Sequence, residues 1–193
     1  NDQLPNNISY NPESITLVNN TVSSDLPLSP SINGPGIITS WELNNTSLPS
    51  GISFGTNNGT IYGIATQLWP TTAYKVWANN SGGSTVAYLN ITVIDQLPTI
   101  SYSPADVVLT NNTISTDLPL APTIIGPGEI VSWEFNGTLP SGINFGNNNG
   151  TFWGIPTKLL NQTQYIVWAN NTGGSSVAYV NITVVDQLPT LSY

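Results

Sequence analysis

Ten carboxylates and two lysines, Lys75 and Lys158, carry all the formal charge of this 193-residue chain. Histidine, cysteine and arginine do not occur, which removes the usual general base, thiol nucleophile, imidazole ligand and guanidinium clamp. Hydrolysis of a glycosidic bond needs two carboxylates converging on one cleft. Here every acid except Glu129 falls into a repeat-equivalent set: Asp2/Asp95/Asp186, Glu13/Asp106, Asp25/Asp117 and Glu42/Glu134. An acid that recurs in each module serves architecture rather than a single reaction centre, so the sequence reads as non-enzymatic and without a cofactor. With a net charge of -8 the chain has nothing to neutralise phosphates, which excludes nucleic acid and anionic membrane surfaces as partners.

Two residue classes with binding chemistry remain. The Asn-x-Ser/Thr acceptor pattern of N-glycosylation occurs at Asn7, Asn19, Asn44, Asn45, Asn58, Asn79 and Asn90, and again at Asn111, Asn136, Asn149, Asn161, Asn170 and Asn181. Asn, Ser and Thr are common in this chain and turn chemistry explains many of these sites. Some are expected to carry sugar if the source cell is archaeal or eukaryotic. The second class is aromatic: Trp77 with Tyr88, and Trp168 with Tyr179, are expected as solvent-facing cross-strand pairs. Such a pair can stabilise a hairpin, offer a platform to a glycan, or pack against a neighbouring domain or chain.

The elements that must position these groups are legible from a repeat. Asp2-Gln3-Leu4-Pro5 returns as Asp95-Gln96-Leu97-Pro98 and Asp186-Gln187-Leu188-Pro189, at spacings of 91 to 93 residues, the size of one small domain. Ser40-Trp41-Glu42 matches Ser132-Trp133-Glu134, and Val76-Trp77-Ala78-Asn79-Asn80 matches Val167-Trp168-Ala169-Asn170-Asn171. The organisation expected is repeat 1 over 1–94, repeat 2 over 95–185 and the first strand of a third repeat over 186–193, as a segment of something longer.

Within a repeat, short runs rich in Ile, Val, Thr, Trp and Tyr alternate with Pro, Gly, Asn and Ser clusters, and no stretch has 3.6-residue apolar spacing. The fold class expected is all-β: two tandem immunoglobulin-like antiparallel sandwiches of about seven strands each. In the first repeat the strands fall near 8–10, 15–18, 28–32, 37–43, 60–64, 74–78 and 86–94. Period-2 parity puts Val131, Trp133 and Phe135 on one face, making Trp133 and Trp41 core residues and Glu42 and Glu134 solvent-facing. A two-residue turn at Gly82-Gly83 and Gly173-Gly174 would set residue 77 opposite 88 and residue 79 opposite 86. Leu89, Ile91 and Val93 then point inward, and Tyr88, Asn90 and Thr92 outward. No apolar run approaches the roughly 20 residues that cross a bilayer, so no direct membrane insertion is expected.

Leu48-Pro49-Ser50-Gly51-Ile52-Ser53-Phe54, Asn58-Gly59-Thr60-Ile61-Tyr62-Gly63 and Tyr74-Lys75-Val76-Trp77-Ala78-Asn79-Asn80-Ser81-Gly82-Gly83 together resemble the immunoglobulin-like repeats of large bacterial and archaeal surface proteins. They are also similar to the cadherin-like domains found in dystroglycan. The resemblance covers both repeats nearly end to end. It implies a non-catalytic extracellular spacer, stalk or adhesive module, secreted or at the cell surface, whose partners are neighbouring repeats. The exposed aromatic pairs add glycans as alternative partners, and the segment 186–193, by donating its strand to the next molecule, adds self-association into fibres. The resemblance also makes Asp2, Asp95 and Asp186, at the junctions, the candidate calcium ligands, although the Asp-Arg-Glu junction motif of true cadherins is missing. The structural alternative is that these aspartates cap the turn leading into Leu-Pro.

Overall fold

The computed structural model describes residues 3–5, 7–44 and 47–189, and every regular element among them is a strand. The chain folds as two compact units, Asn1–Asp95 and Gln96–Tyr193. The first contains β1 (Ile8–Ser9), β2 (Ser14–Val18), β3 (Ser31–Ile32), β4 (Ser40–Leu43), β5 (Ile52–Phe54), β6 (Ile61–Gly63), β7 (Trp69–Asn80) and β8 (Gly83–Ile94). Four of these form a sheet in the order β2-β8-β7-β4, while β1 pairs with β3 and β5 with β6. β7 and β8 are an antiparallel hairpin, whereas β2 runs parallel to β8 from Ser14↔Asn90 to Val18↔Ile94. Leu28 bridges to Ile61, joining the chain before β3 to β6.

The second unit repeats this plan with β9 (Thr99–Ser101), β10 (Asp106–Thr110), β11 (Thr123–Ile125), β12 (Ser132–Phe135), β13 (Ile143–Phe145), β14 (Phe152–Gly154), β15 (Leu160–Asn171) and β16 (Gly174–Val185). Its large sheet has the order β10-β16-β15-β12, with β10 parallel to β16.

Alternation along the strands builds each core. In the first unit Ile15 and Leu17 from β2, Tyr74, Val76 and Ala78 from β7, and Leu89, Ile91 and Val93 from β8 are buried around Trp41. Trp133 holds the same place in the second unit, among Tyr165, Val167, Val180 and Ile182. The inward and outward parity expected for the end of β8 is therefore the parity observed, and Glu42 and Glu134 face solvent.

The Asn-Gly-Thr turn after β5 is fitted against the tryptophan. Gly59 adopts a φ of +69°, and a Cβ there would lie 2.6 Å from Trp41 Cε3; at Gly150 the values are +67° and 2.5 Å from Trp133. Only glycine takes this conformation without steric cost and leaves room for the indole. Asn58 Oδ1 accepts from Thr60 N at 3.0 Å, and Gly59 N donates to Gly55 O at 2.7 Å. The Tyr10 hydroxyl then donates to Gly59 O, as the Tyr102 hydroxyl does to Gly150 O. Burial pushes the Tyr10 and Tyr102 phenols well above the ordinary tyrosine range, so both act as neutral donors.

Several expectations need correction. There are eight strands in each unit rather than seven, because Ile52–Phe54 and Ile143–Phe145 form strands directly after the Leu-Pro-Ser-Gly segment. Their pairing partners lie further along the chain, with Ile52↔Gly63 and Phe54↔Ile61 in register, and three-residue runs give no periodicity of their own. β7 begins at Trp69, well before Tyr74, with a register shift between Trp69 and Thr72. The strand expected over 37–43 starts only at Ser40, and Ile37 is exposed. Val131 lies outside β12 and is 76% exposed, so the inward parity of Trp133 does not extend back to it. The strand expected in the third-repeat segment would follow its Asp-Gln-Leu-Pro motif, as Thr99–Ser101 does in the second unit, and so lies outside the described residues.

Candidate functional site

The side chains best placed to meet another molecule are those on the outer face of the four-stranded sheet. They are held by the β7–β8 hairpin, whose register differs from the one expected. Asn80 pairs with Gly83, Trp77 with Val86 and Lys75 with Tyr88. Asn171 pairs with Gly174, Trp168 with Val177 and Ile166 with Tyr179. Trp77 and Tyr88 are thus not directly opposite, nor are Trp168 and Tyr179, nor residues 79 and 86; each aromatic pair is a diagonal, one strand step apart on the same face.

The cause is an Asn at the mouth of the turn. Asn80 Oδ1 accepts from Gly82 N at 2.9 Å and Asn171 Oδ1 from Gly173 N at 2.8 Å, which closes the loop on Ser81-Gly82 and Thr172-Gly173. The second glycine becomes the first strand residue, with φ of +133° at Gly83 and +129° at Gly174. A shift of two residues keeps every side chain on its face, which is why the facing was right and the partners wrong.

The same Asn side chains reach back to the start of their own unit. Asn80 Nδ2 donates to Gln3 O at 2.6 Å, and Asn171 Nδ2 to Gln96 O at 2.7 Å. A Cβ at Gly83 would meet Leu4 Cδ2 at 2.7 Å. The Gln-Leu-Pro motif and the Asn-Asn-x-Gly-Gly motif are therefore two halves of one contact.

Across the outer face two rows are near-identical in the two units. Ser40↔Asn79↔Ser84 and Glu42↔Trp77↔Val86 correspond to Ser132↔Asn170↔Ser175 and Glu134↔Trp168↔Val177. Further along β8, Tyr88 and Asn90 correspond to Tyr179 and Asn181, but their neighbours on the same face do not match: Lys75 stands where Ile166 does, Ala73 where Gln164 does, Ser14 where Asp106 does and Thr16 where Val108 does. The register thus corrects the expected Glu13/Asp106 pair: Glu13 O accepts from Asn90 N as Ala105 O does from Asn181 N, so Glu13 is the equivalent of Ala105, and neither acid recurs in the other unit. The matched rows are tied into a network. Ser84 Oγ donates to Asn79 Oδ1 at 2.5 Å and Ser175 Oγ to Asn170 Oδ1 at 2.6 Å. Asn170 Nδ2 donates to Glu134 Oε1 at 3.2 Å. Both tryptophans are half-buried, while Tyr88 and Tyr179 are 58% and 54% exposed. Lys75 Nζ stands 5.8 Å over the Tyr88 ring. At the turn end of the second unit's rows a shallow cavity of about 270 Å³ is lined by Val131, Ser132, Asn170, Asn171 and Thr172. Ser40 and Val86 escape the sequence patterns, although identity between the repeats at outward positions is the signal that could find them; Asn79 stands out only as a sequon.

The sequons are spread over several environments. Asn44 and Asn136 extend the edge of the sheet: Lys75 N donates to Asn44 Oδ1 at 3.3 Å and Ile166 N to Asn136 Oδ1 at 2.6 Å. Asn58 and Asn149 are held in their turns. Asn19 and Asn111 donate their backbone N–H to Ile94 O and Val185 O, both at 2.9 Å. Asn7, at φ +51°, and Asn161 are exposed. Asn79, Asn90, Asn170 and Asn181 are half-buried on the outer sheet face, with Asn181 Nδ2 donating to Asp106 Oδ1 at 2.7 Å. Asn45 lies outside the described residues.

Of the calcium candidates, Asp2 also lies outside the described residues. Asp95 is half-buried at the end of β8, and the exposed Asp186 accepts from Gln187 N at 2.9 Å. Among the described residues no group of three or more carboxylates converges, against the six to eight oxygens calcium takes.

Comparison with known proteins agrees with the geometry. Over 171 residues, 84% of this chain, the sequence is 25% identical to proteins named "Serine-rich adhesin for platelets" from Staphylococcus aureus, of which it spans 7% of the length, or 12% in strain MRSA252. Extracellular domains 3-5 of Drosophila OTK superpose with a TM-score of 0.51 at 17% identity, covering 93% of this chain and 62% of that one, a likeness of fold. The family described as "Putative Ig domain" matches twice in succession, over residues 4–94 and 97–185. The chain belongs to that immunoglobulin-domain family, as a tandem pair of its members.

Proposed function

We propose that this chain is a non-catalytic, load-bearing repeat of a surface-displayed adhesive or structural protein, holding a functional region away from the cell. The observation that carries this reading is the parallel pairing of β2 with β8, and of β10 with β16. β2 lies near the point where the chain enters a unit, and β8 is where it leaves. Tension between the two ends pulls β2 toward its N-terminus and β8 toward its C-terminus. Because the strands are parallel, these pulls oppose each other along the strand axis, and the hydrogen bonds between Ser14 and Ile94 are loaded together rather than one after another. Asn90 N to Glu13 O at 2.8 Å and Asn19 N to Ile94 O at 2.9 Å close the two ends of that ladder. The staphylococcal adhesins that share this sequence pattern support placement in a surface protein. The scarcity of charge, 6% of residues, leaves a surface uncommitted to ionic partners.

Single-molecule pulling tests the reading. Stretched from its ends, the chain should unfold in two steps, each lengthening it by about 30 nm for a unit of this size. Cysteine handles at Thr21→Cys and Asp95→Cys sit at the same end of β2 and β8, so they peel the first unit's ladder bond by bond. That geometry should give a clearly lower unfolding force than end-to-end stretching. Equal forces in the two geometries would remove the mechanical basis of the proposal.

A further inference from the structure

The two matched rows on the outer sheet face have a property that neither packing nor load-bearing requires. The units differ at solvent-facing positions on β2 and on the first half of β7, where Ser14, Thr16 and Ala73 stand against Asp106, Val108 and Gln164, so drift is tolerated on this face. Yet the rows centred on Trp77 and Trp168 keep every member, including exposed Glu42 and Ser84. A half-buried indole needs no glutamate, asparagine and two serines around it for stability; cross-strand pairs of many kinds serve equally well.

We infer that each of these strips binds one or two residues of an uncharged hexopyranose glycan. The chemistry of the site selects that class. An indole with a phenol on the diagonal offers apolar faces to the C–H side of a sugar ring, while the amide of Asn79 or Asn170 and the carboxylate of Glu42 or Glu134 supply acceptors and donors for its hydroxyls. The serine-to-asparagine bonds of 2.5 and 2.6 Å fix the amide in place before any ligand arrives, which lowers the ordering cost of binding. Anionic sugars are selected against: Lys75 is the one cation on this face of the first unit, its equivalent is Ile166 in the second, and both strips carry a glutamate. The shallow cavity of about 270 Å³ lined by Ser132 and Asn170, just under the usual size of ligand sites, leaves room at the turn end of the second strip for part of a saccharide. Two weak sites on one chain raise the affinity for a polymeric glycan through effective concentration.

The test uses the full chain against immobilised neutral polysaccharides (mannan, galactan and β-glucan), with sialylated and sulfated glycans alongside. Wild type should bind at least one neutral polymer and ignore the anionic ones. Trp77→Ala or Trp168→Ala should each weaken binding at least about tenfold through lost stacking and avidity, and the double variant should abolish it. Ser84→Ala and Ser175→Ala remove no core contact, and they should weaken binding at an unchanged melting temperature, which a merely structural strip would not show. Ile166→Thr, on the diverged part of the face, should bind as wild type. The inference is overturned if no neutral polymer binds at millimolar sugar, or if anionic glycans are preferred. It is equally overturned if the tryptophan variants instead dissolve a wild-type dimer in sedimentation, which would make the strip a contact between copies of this chain.

Discussion

Gly150→Ala and Gly137→Ala form a matched pair for testing how the buried tryptophan is held. Both glycines have left-handed backbones, with φ of +67° and +78°, but an added Cβ would lie 2.5 Å from Trp133 Cε3 at position 150 and no closer than 3.8 Å to Tyr165 at position 137. An L-residue in this conformation costs about 1 to 2 kcal/mol, partly offset by about 0.4 to 1 kcal/mol from a stiffer unfolded chain. Gly137→Ala should therefore lose about 1 kcal/mol or less. At position 150 the methyl is about 1 Å inside ordinary carbon contact distance. The turn cannot retreat, because Gly150 N is bonded to Gly146 O at 2.7 Å and Gly150 O to the Tyr102 hydroxyl. Overpacking adds about 1 to 3 kcal/mol, for a total of about 1 to 4 kcal/mol, a large part of the roughly 5 to 10 kcal/mol expected for the unit. At about 4 to 8 °C per kcal/mol for a domain of this size, the second unit's melting point should fall by some 5 to 30 °C. Calorimetry of the full chain should show that transition separating from an unmoved first-unit transition. Equal losses for the two variants would refute the idea that the glycine is there to make room for the indole.

Alkali should be the pH extreme these units tolerate least. A phenol whose pKa is raised by burial contributes fully below the unfolded value near 10 and loses that contribution as pH climbs toward the higher folded value; the melting point should thus be flat up to about pH 10 and drop above it, much less so in a Tyr10→Phe/Tyr102→Phe double variant. A profile that is flat to pH 12 would contradict the burial of these hydroxyls. Asn171→Ala removes the bonds to Gly173 N and Gln96 O and should cost about 1 to 3 kcal/mol, measurable as a shift of the urea midpoint; a loss below about 0.3 kcal/mol would show that the turn closes without it. Saturating calcium should leave the thermal midpoint where chelator puts it, and a rise of several degrees would reinstate the junction aspartates as ligands.

The features that the sequence displayed well are those written in period or in repetition. Alternation put Leu89, Ile91 and Val93 inside and Tyr88 and Asn90 outside, and the recurring Ser-Trp-Glu announced a buried tryptophan in each copy. What escaped was decided by contacts distant in sequence. Ile52–Phe54 is a strand because residues 61–63 lie beside it. Val131 faces solvent because β12 starts only at Ser132, and no alternation rule predicts where a ladder begins. The hairpin register turned on one side-chain bond, from Gly82 N to Asn80 Oδ1: the glycine pair pointed to a turn, and the asparagine before it chose which residues the turn contains. The outer-face rows were half visible through their aromatics and the sequon asparagines Asn79 and Asn170, while the serines that organise them gained meaning only once three strands were aligned.

The hydroxyl of Tyr10 on Gly59, and of Tyr102 on Gly150, joins segments 49 and 48 residues apart without a covalent cross-link. In a chain of near-identical copies this choice has a practical side. Thiols at equivalent places in successive copies would compete for one another during folding, since four cysteines already allow three pairings, and neighbouring modules of a repeat protein are prone to exchange parts. A hydrogen bond made wrongly is released at once, so each module can correct itself without help from an oxidant, and reductants leave the finished protein untouched.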